Sequence, residues 1–143
     1  MSNQQEVFKK YKKTQIDTAN QGKLILMLYD GAIKFINQAL DLLKDKKSNN
    51  LEQIHKCIVK SQDIIYELTS SLNMDVGEIS QRLFSIYMYI NRKLAEANIQ
   101  KEEKPLLEVK QYLLELRTAW DEAIKKAPKE TGEVQEGGVN IAT

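Results

Sequence analysis

The chain has 143 residues, 42% hydrophobic and 29% charged, and its 21 lysines and arginines against 20 aspartates and glutamates leave a net charge of +1. That length fits one domain whose core is stable without disulfides or metals, and that charge balance leaves no global field to favour nucleic acid or an anionic membrane. The single cysteine, Cys57, excludes an internal disulfide, and no apolar leader opens the chain, so the cytoplasm is the expected compartment.

Residues 1–20 begin polar and turn basic, with Lys9, Lys10, Lys12 and Lys13 interleaved by Phe8 and Tyr11. With no glycine-rich cradle and no recognition helix beside it, this run does not predict nucleic-acid binding. Val7, Phe8, Tyr11 and Ile16 are instead apolar beads on a polar strand. They predict a cap segment over 1–20 that folds back on the next helix, placing Tyr11 and Ile16 near a shallow seat made by Leu24, Met27 and Gly31. Asn20 is the expected N-cap of that helix, with Ala19 and Leu24 as its hydrophobic staple.

From Leu24 to Leu43 the apolar residues fall on two adjoining stripes at alternating steps of three and four. Ile25, Leu28, Ala32, Phe35, Ala39 and Leu42 form one; Tyr29, Ile33, Ile36, Leu40 and Leu43 form the other. Together they span roughly 200° of the helix, so it must be covered on two sides. Three charged residues, Asp30, Lys34 and Asp41, interrupt it, so it is no membrane span. Gly31 sits inside it at a cost of about 1 kcal/mol relative to alanine, which marks either a tolerated glycine or a close approach by another segment.

After the polar stretch 45–50, a second helix over 51–72 carries one stripe through Leu51, Ile54, Ile58, Ser61, Ile65, Leu68 and Leu72. His55 and Glu52 in it match a Glu-x-x-His spacing, but a carboxylate-bridged metal bundle needs a second such motif and further glutamates, which the chain lacks. Both are read as solvated. Cys57 is read as a small apolar packer, since no base stands beside it. A third helix over 76–98, opened by Asp75 and Glu78 in capping-box spacing, has core positions Val76, Ile79, Leu83, Ile86, Ile90, Leu94 and Ala97. Phe84, Tyr87, Met88 and Tyr89 cluster near its middle as core or groove lining. A fourth, opened by Pro105 and ended by Pro128, repeats Leu106, Val109, Leu113, Leu116, Trp120, Ile124 and Ala127, with Leu107 and Leu114 on a second stripe about 100° away. Residues 128–143 have no helical period and are expected to be a flexible tail.

Four amphipathic segments of about 33 Å each, joined by short loops, predict an all-α chain: an antiparallel four-helix bundle over 21–127 with an N-terminal cap segment. The apolar flanks exceed what one bundle seam needs. They predict grooves for a helical or extended peptide, with Leu28, Phe35, Ile65, Leu83, Leu113 and Trp120 holding the seam while Ile33, Leu40, Leu107 and Leu114 face the peptide. The Phe84, Tyr87 and Met88 cluster is the alternative path. With one histidine and no converging acid, base or nucleophile, neither catalysis nor a cofactor is expected.

One string is specific. Tyr11, Ile16, Thr18 and Ala19, followed by Lys23-Leu24-Ile25-Leu26-Met27-Leu28-Tyr29-Asp30-Gly31-Ala32-Ile33-Lys34-Phe35-Ile36, resemble the opening of the FliS family of flagellar secretion chaperones. The resemblance continues in Tyr87-Met88-Tyr89, Arg92, Leu94, Ala97 and Asn98, and in Leu116-Arg117, Ala119-Trp120 and Ala123, in register over 11–127. Where the family commonly has Ser-Pro or Thr-Pro before its first helix, this chain has Asn20-Gln21, which keeps the cap and lacks the rigid proline. The resemblance implies a non-enzymatic cytoplasmic chaperone that binds the disordered C-terminal region of flagellin, blocks premature polymerisation and presents the subunit to the flagellar export gate. The competing expectation is a helical bundle that self-associates through the same flanks into a structural or signalling homodimer.

Overall fold

The three–four apolar period produces four α-helices in the computed structural model, which describes residues 18–47, 49–75 and 77–126. They are α1 (Thr18–Lys44), α2 (Leu51–Ser70), α3 (Gly77–Gln100) and α4 (Glu103–Lys126), with no strand among the described residues. Each helix packs on two neighbours: α1 and α3 both lie against α2 and α4. Cross-helix bonds fix the directions. Ser61 meets the Ala32 carbonyl and Cys57 meets Gln38, Gln62 meets the Asn91 carbonyl and His55 meets Asn98, Lys93 meets Glu108 and Tyr89 meets Tyr112, and Trp120 meets the Gly22 carbonyl and Arg117 meets Asp30, so residue numbers rise on one helix as they fall on the next. The result is an antiparallel up-down-up-down bundle. The wide apolar arc of α1 is covered from two sides by α2 and α4, as its two stripes require.

The interior is continuous. Ala32, Ile36 and Ala39 of α1, Ile58 and Ile65 of α2, Ile90 and Leu94 of α3, and Leu106, Val109 and Leu113 of α4 are all fully enclosed. Each of the larger side chains contributes about 1.5–3 kcal/mol by leaving water. Across the diagonal, Tyr29 and Tyr87 bring their hydroxyls to 2.6 Å inside this core. Burial of two phenols is tolerated because each satisfies the other.

Local chemistry closes the turns. Asn50 starts α2, its carbonyl accepting from Ile54 N–H, while its Nδ2 donates to the Leu42 carbonyl at 3.0 Å and so satisfies the end of α1. Gly77 opens α3 at a φ of 67°, a left-handed conformation that a Cβ disfavours. Lys101 takes the left-handed position after α3 at φ 54°, where its N–H reaches the Ala97 carbonyl at 2.7 Å.

Several expectations differ at the edges. α1 begins at Thr18, so Asn20 lies inside the helix rather than capping it. α2 ends at Ser70 and α4 begins at Glu103, so Pro105 is its third residue, and buried. Leu51 and Ile79 continue their stripes on the helical wheel but are exposed, because each stands in the first turn of its helix, near the end of the bundle. Phe35 is not a seam residue. It lies half-buried with the ammonium groups of Lys60 and Lys34 over its ring at 5.2 and 5.9 Å, a cation–π cover at the rim. Residues 18–20 of the expected cap segment are the first residues of α1; its residues 1–17, Val76 and the tail 128–143 lie outside the described residues.

Candidate interaction surfaces

Between α1 and α4 the register is set by an ion pair in which Arg117 donates to both carboxylate oxygens of Asp30. That hydrogen bond and the aspartate charge hold the guanidinium above its ordinary pKa. Stepping three residues along each helix from this pair brings Ile33 level with Leu114, and seven more bring Leu40 level with Leu107. Leu107 and Leu114 stand on the outer side with 50% and 38% of their surface exposed, and Ile33 is half-buried against the core. The exposed apolar strip along this junction is therefore Leu107 and Leu114, two helical turns apart, with Ile33 at its edge. Its lower end is pinned where α4 approaches α1 over Gly22: a Cβ there would stand 2.9 Å from Ile124 Cδ1, and Trp120 Nε1 bonds the Gly22 carbonyl at 3.1 Å. Sequence reasoning missed Gly22, and its only signal was a second glycine in a helix one turn before the apolar stripes begin.

Other expected contact residues separate by burial. Met27 is half-exposed. Gly31 does accept a close approach, but from Ile64 of α2, whose Cδ1 would lie 3.2 Å from an added Cβ. Leu24 is buried at 5% exposure and Leu40 at 6%, so in this conformation both pack inside rather than facing a partner. Tyr87 is likewise interior, held by Tyr29. Phe84 and Met88 are exposed on α3. Tyr11 and Ile16 lie outside the described residues.

The junction of α3 and α4 holds a cleft of about 440 Å³ lined by Ser85, Ile86, Tyr89, Tyr112, Glu115 and Leu116. Tyr89 and Tyr112 meet edge to face at 5.9 Å, and Tyr89 Oη donates to Glu108, which also lies 3.7 Å from Lys93. Donating that bond to a carboxylate holds the phenol proton in place, so the Tyr89 pKa lies above the ordinary value. Tyr89 belongs to the aromatic cluster read from the sequence as core or groove lining, whereas Tyr112 stands off the main stripe of α4 and was not marked.

Reactive groups do not converge. His55 Nδ1 sits 2.9 Å from Asn98 Nδ2 at the surface, and Glu52 is 3.7 Å from Lys56. The Cys57 thiol lies 3.6 Å from Gln38 Oε1, its pKa pushed up by burial against a smaller opposing pull from Lys60. Among the described residues no three histidines, cysteines or carboxylates gather to hold a metal, and no helix is long and apolar enough to cross a membrane.

Comparison with known proteins agrees in extent with the bundle. A family model described as Flagellar protein FliS matches residues 3–127. The Flagellar secretion chaperone FliS of Bacillus subtilis is 34% identical over 126 residues, covering 88% of this chain and 92% of the relative. The protein of the same name in Vibrio cholerae is 29% identical over 117 residues, covering 78% of this chain and 84% of its own. That of Escherichia coli is 27% identical over 114 residues, at 78% and 82%.

Proposed function

The chain belongs to the FliS family of flagellar secretion chaperones, and on that premise we propose that it binds the disordered C-terminal region of flagellin along the α1–α4 strip. Held there in the cytoplasm, the client is kept from polymerising and is delivered to the gate of the flagellar type III export apparatus. One observation carries the placement: Leu107 and Leu114 are exposed side by side, one seven-residue step apart, beyond a core that is already closed by Leu106, Val109 and Leu113. Leucines left outside a filled core cost solubility in a free protein and are useful only to something that covers them. A client segment whose apolar face must later pair with other flagellins has the complementary need. Helix-in-groove binding reads such a face through anchors that recur every one or two turns, and Leu107 and Leu114 stand two turns apart.

The reading is tested by seeded polymerisation. Monomeric flagellin elongating from filament fragments is expected to stop when the chain is added at about equal concentration, and to resume when a free C-terminal flagellin peptide is added in excess. Elongation undiminished by excess chain would overturn the proposal.

A further inference from the structure

Along the α3–α4 junction, Lys93 of α3 stands over the Tyr89 ring at 5.8 Å and 3.7 Å from Glu108 of α4, while Tyr89 Oη donates to the same carboxylate. A cation, an aromatic ring and a carboxylate there satisfy one another. One turn further along, the 440 Å³ cleft again holds an aromatic ring and a carboxylate, those of Tyr112 and Glu115. Tyr112 is 38% exposed, and no cation of the described residues lies over its ring. Glu115 accepts a hydrogen bond from Gln111 at 3.0 Å and has no ion pair among the described residues. The α3 residues that line the cleft opposite them are Ser85, Ile86 and Tyr89, none of them charged. Arg82, one turn beyond, is paired instead with Glu78 of its own helix at 3.8 Å. Half-buried Ile86 and Leu116 give this cleft an apolar floor.

From this we infer that the α3–α4 cleft is a docking site for an arginine that another protein presents from an apolar stretch. Each wall selects part of that occupant. The Glu115 carboxylate attracts a cation and repels an acidic segment. A planar guanidinium stacks on a tyrosine ring and forks to a carboxylate better than an ammonium does, which favours arginine over lysine. The methylene stem covers Ile86 and Leu116 while the charged head reaches Glu115 at the rim. At 440 Å³ the cleft falls in the range of roughly 300–1,000 Å³ that encloses a small ligand, so it suits one side chain and its neighbour. A second copy of the chain is a poor source. The chain has three arginines and each is engaged, Arg82 with Glu78, Arg92 over the Tyr89 ring at 5.8 Å and Arg117 with Asp30. The cleft lies on the face of α4 turned to α3, away from Leu107 and Leu114, so this site does not depend on where the client binds.

Two short synthetic peptides test this, one with a single arginine between leucines and a twin in which citrulline, of the same shape without the charge, replaces it. Calorimetric titration into the full chain is expected to show the arginine peptide binding at least tenfold more tightly than its twin. Glu115→Gln removes that preference, whereas Glu122→Gln, an exposed carboxylate further along α4, leaves it in place. Tyr112→Leu keeps the cleft apolar and weakens the arginine peptide more than the citrulline one. Equal binding of the two peptides, or a preference unmoved by Glu115→Gln or lost equally in Glu122→Gln, overturns the inference, since general stickiness or diffuse negative charge then explains the binding. Tighter binding when Lys9, Lys10, Lys12 and Lys13 are all changed to glutamine also overturns it, by showing that the chain's own basic run is the occupant. Displacement of the arginine peptide by a flagellin C-terminal peptide overturns it as well, because the cleft would then belong to the client.

Discussion

Tyr29 and Tyr87 show what a polar pair does inside an apolar bundle. Their hydroxyls, 2.6 Å apart on diagonal helices, satisfy each other where water does not reach. Tyr87→Phe leaves the Tyr29 hydroxyl without its partner and is expected to cost about 1–3 kcal/mol, whereas the double phenylalanine variant costs less than the sum of the singles. Urea unfolding of the four proteins measures the coupling, and strict additivity would contradict it. The pair also sets a pH limit. Burial raises both phenol pKa values above the ordinary 10.0, for Tyr87 with a further push from the neighbouring Tyr29. Stability from this source is therefore fully present below pH 10 and declines above it, as the unfolded chain gains by ionising while the folded one does not. The double phenylalanine variant is expected to lose that part of the alkaline decline. None of this was visible in the sequence. Tyr87 stood in an aromatic cluster whose neighbours Phe84 and Met88 point outward, and a turn of about 100° per residue separates interior from surface among them.

At the scale of the helix, periodicity located all four elements because each must bury one stripe, but it did not locate their ends. Leu51 and Ile79 keep the three–four spacing and stay exposed, since a period describes a face and says nothing of how far the neighbouring helix extends. On α1 the interior runs along the boundary between the two stripes, through Ala32, Ile36 and Ala39, which leaves Leu28 and Ile33 half-buried on opposite flanks. Which flank meets α2 and which α4 is a tertiary fact. Gly22 illustrates it: its role appears only when Ile124 and Trp120 of α4 stand over it. Gly22→Ala should change stability by less than about 1 kcal/mol, because the gain in helix propensity offsets a small shift of the Ile124 methyl. Gly22→Ile should instead part the two helices here. Trp120 is the only tryptophan, so its emission reports the event directly: a red shift is expected for the isoleucine variant and none for alanine. Unshifted emission from a folded Gly22→Ile protein would show that α4 does not depend on this approach.

For the whole molecule, the division of labour lies between a core that is complete without Leu107 and Leu114 and a strip that consists of them. The same two leucines were legible as a second stripe on α4; their partners on α1 were less so, because Leu40 turned inward while Ile33 remained at the edge. A free chain that is monomeric in light scattering at micromolar concentration is expected, with the strip open to the client; a dimer that shields Leu114 would contradict this. The most direct measurement is a calorimetric titration of a flagellin C-terminal peptide into the parent chain and into Leu107→Asp and Leu114→Asp. Each variant is expected to keep the helical circular dichroism and melting of the parent and to bind the peptide at least tenfold more weakly, a loss of about 1.4 kcal/mol or more. Folded variants that bind the peptide as tightly as the parent would contradict the placement of the client on the α1–α4 strip.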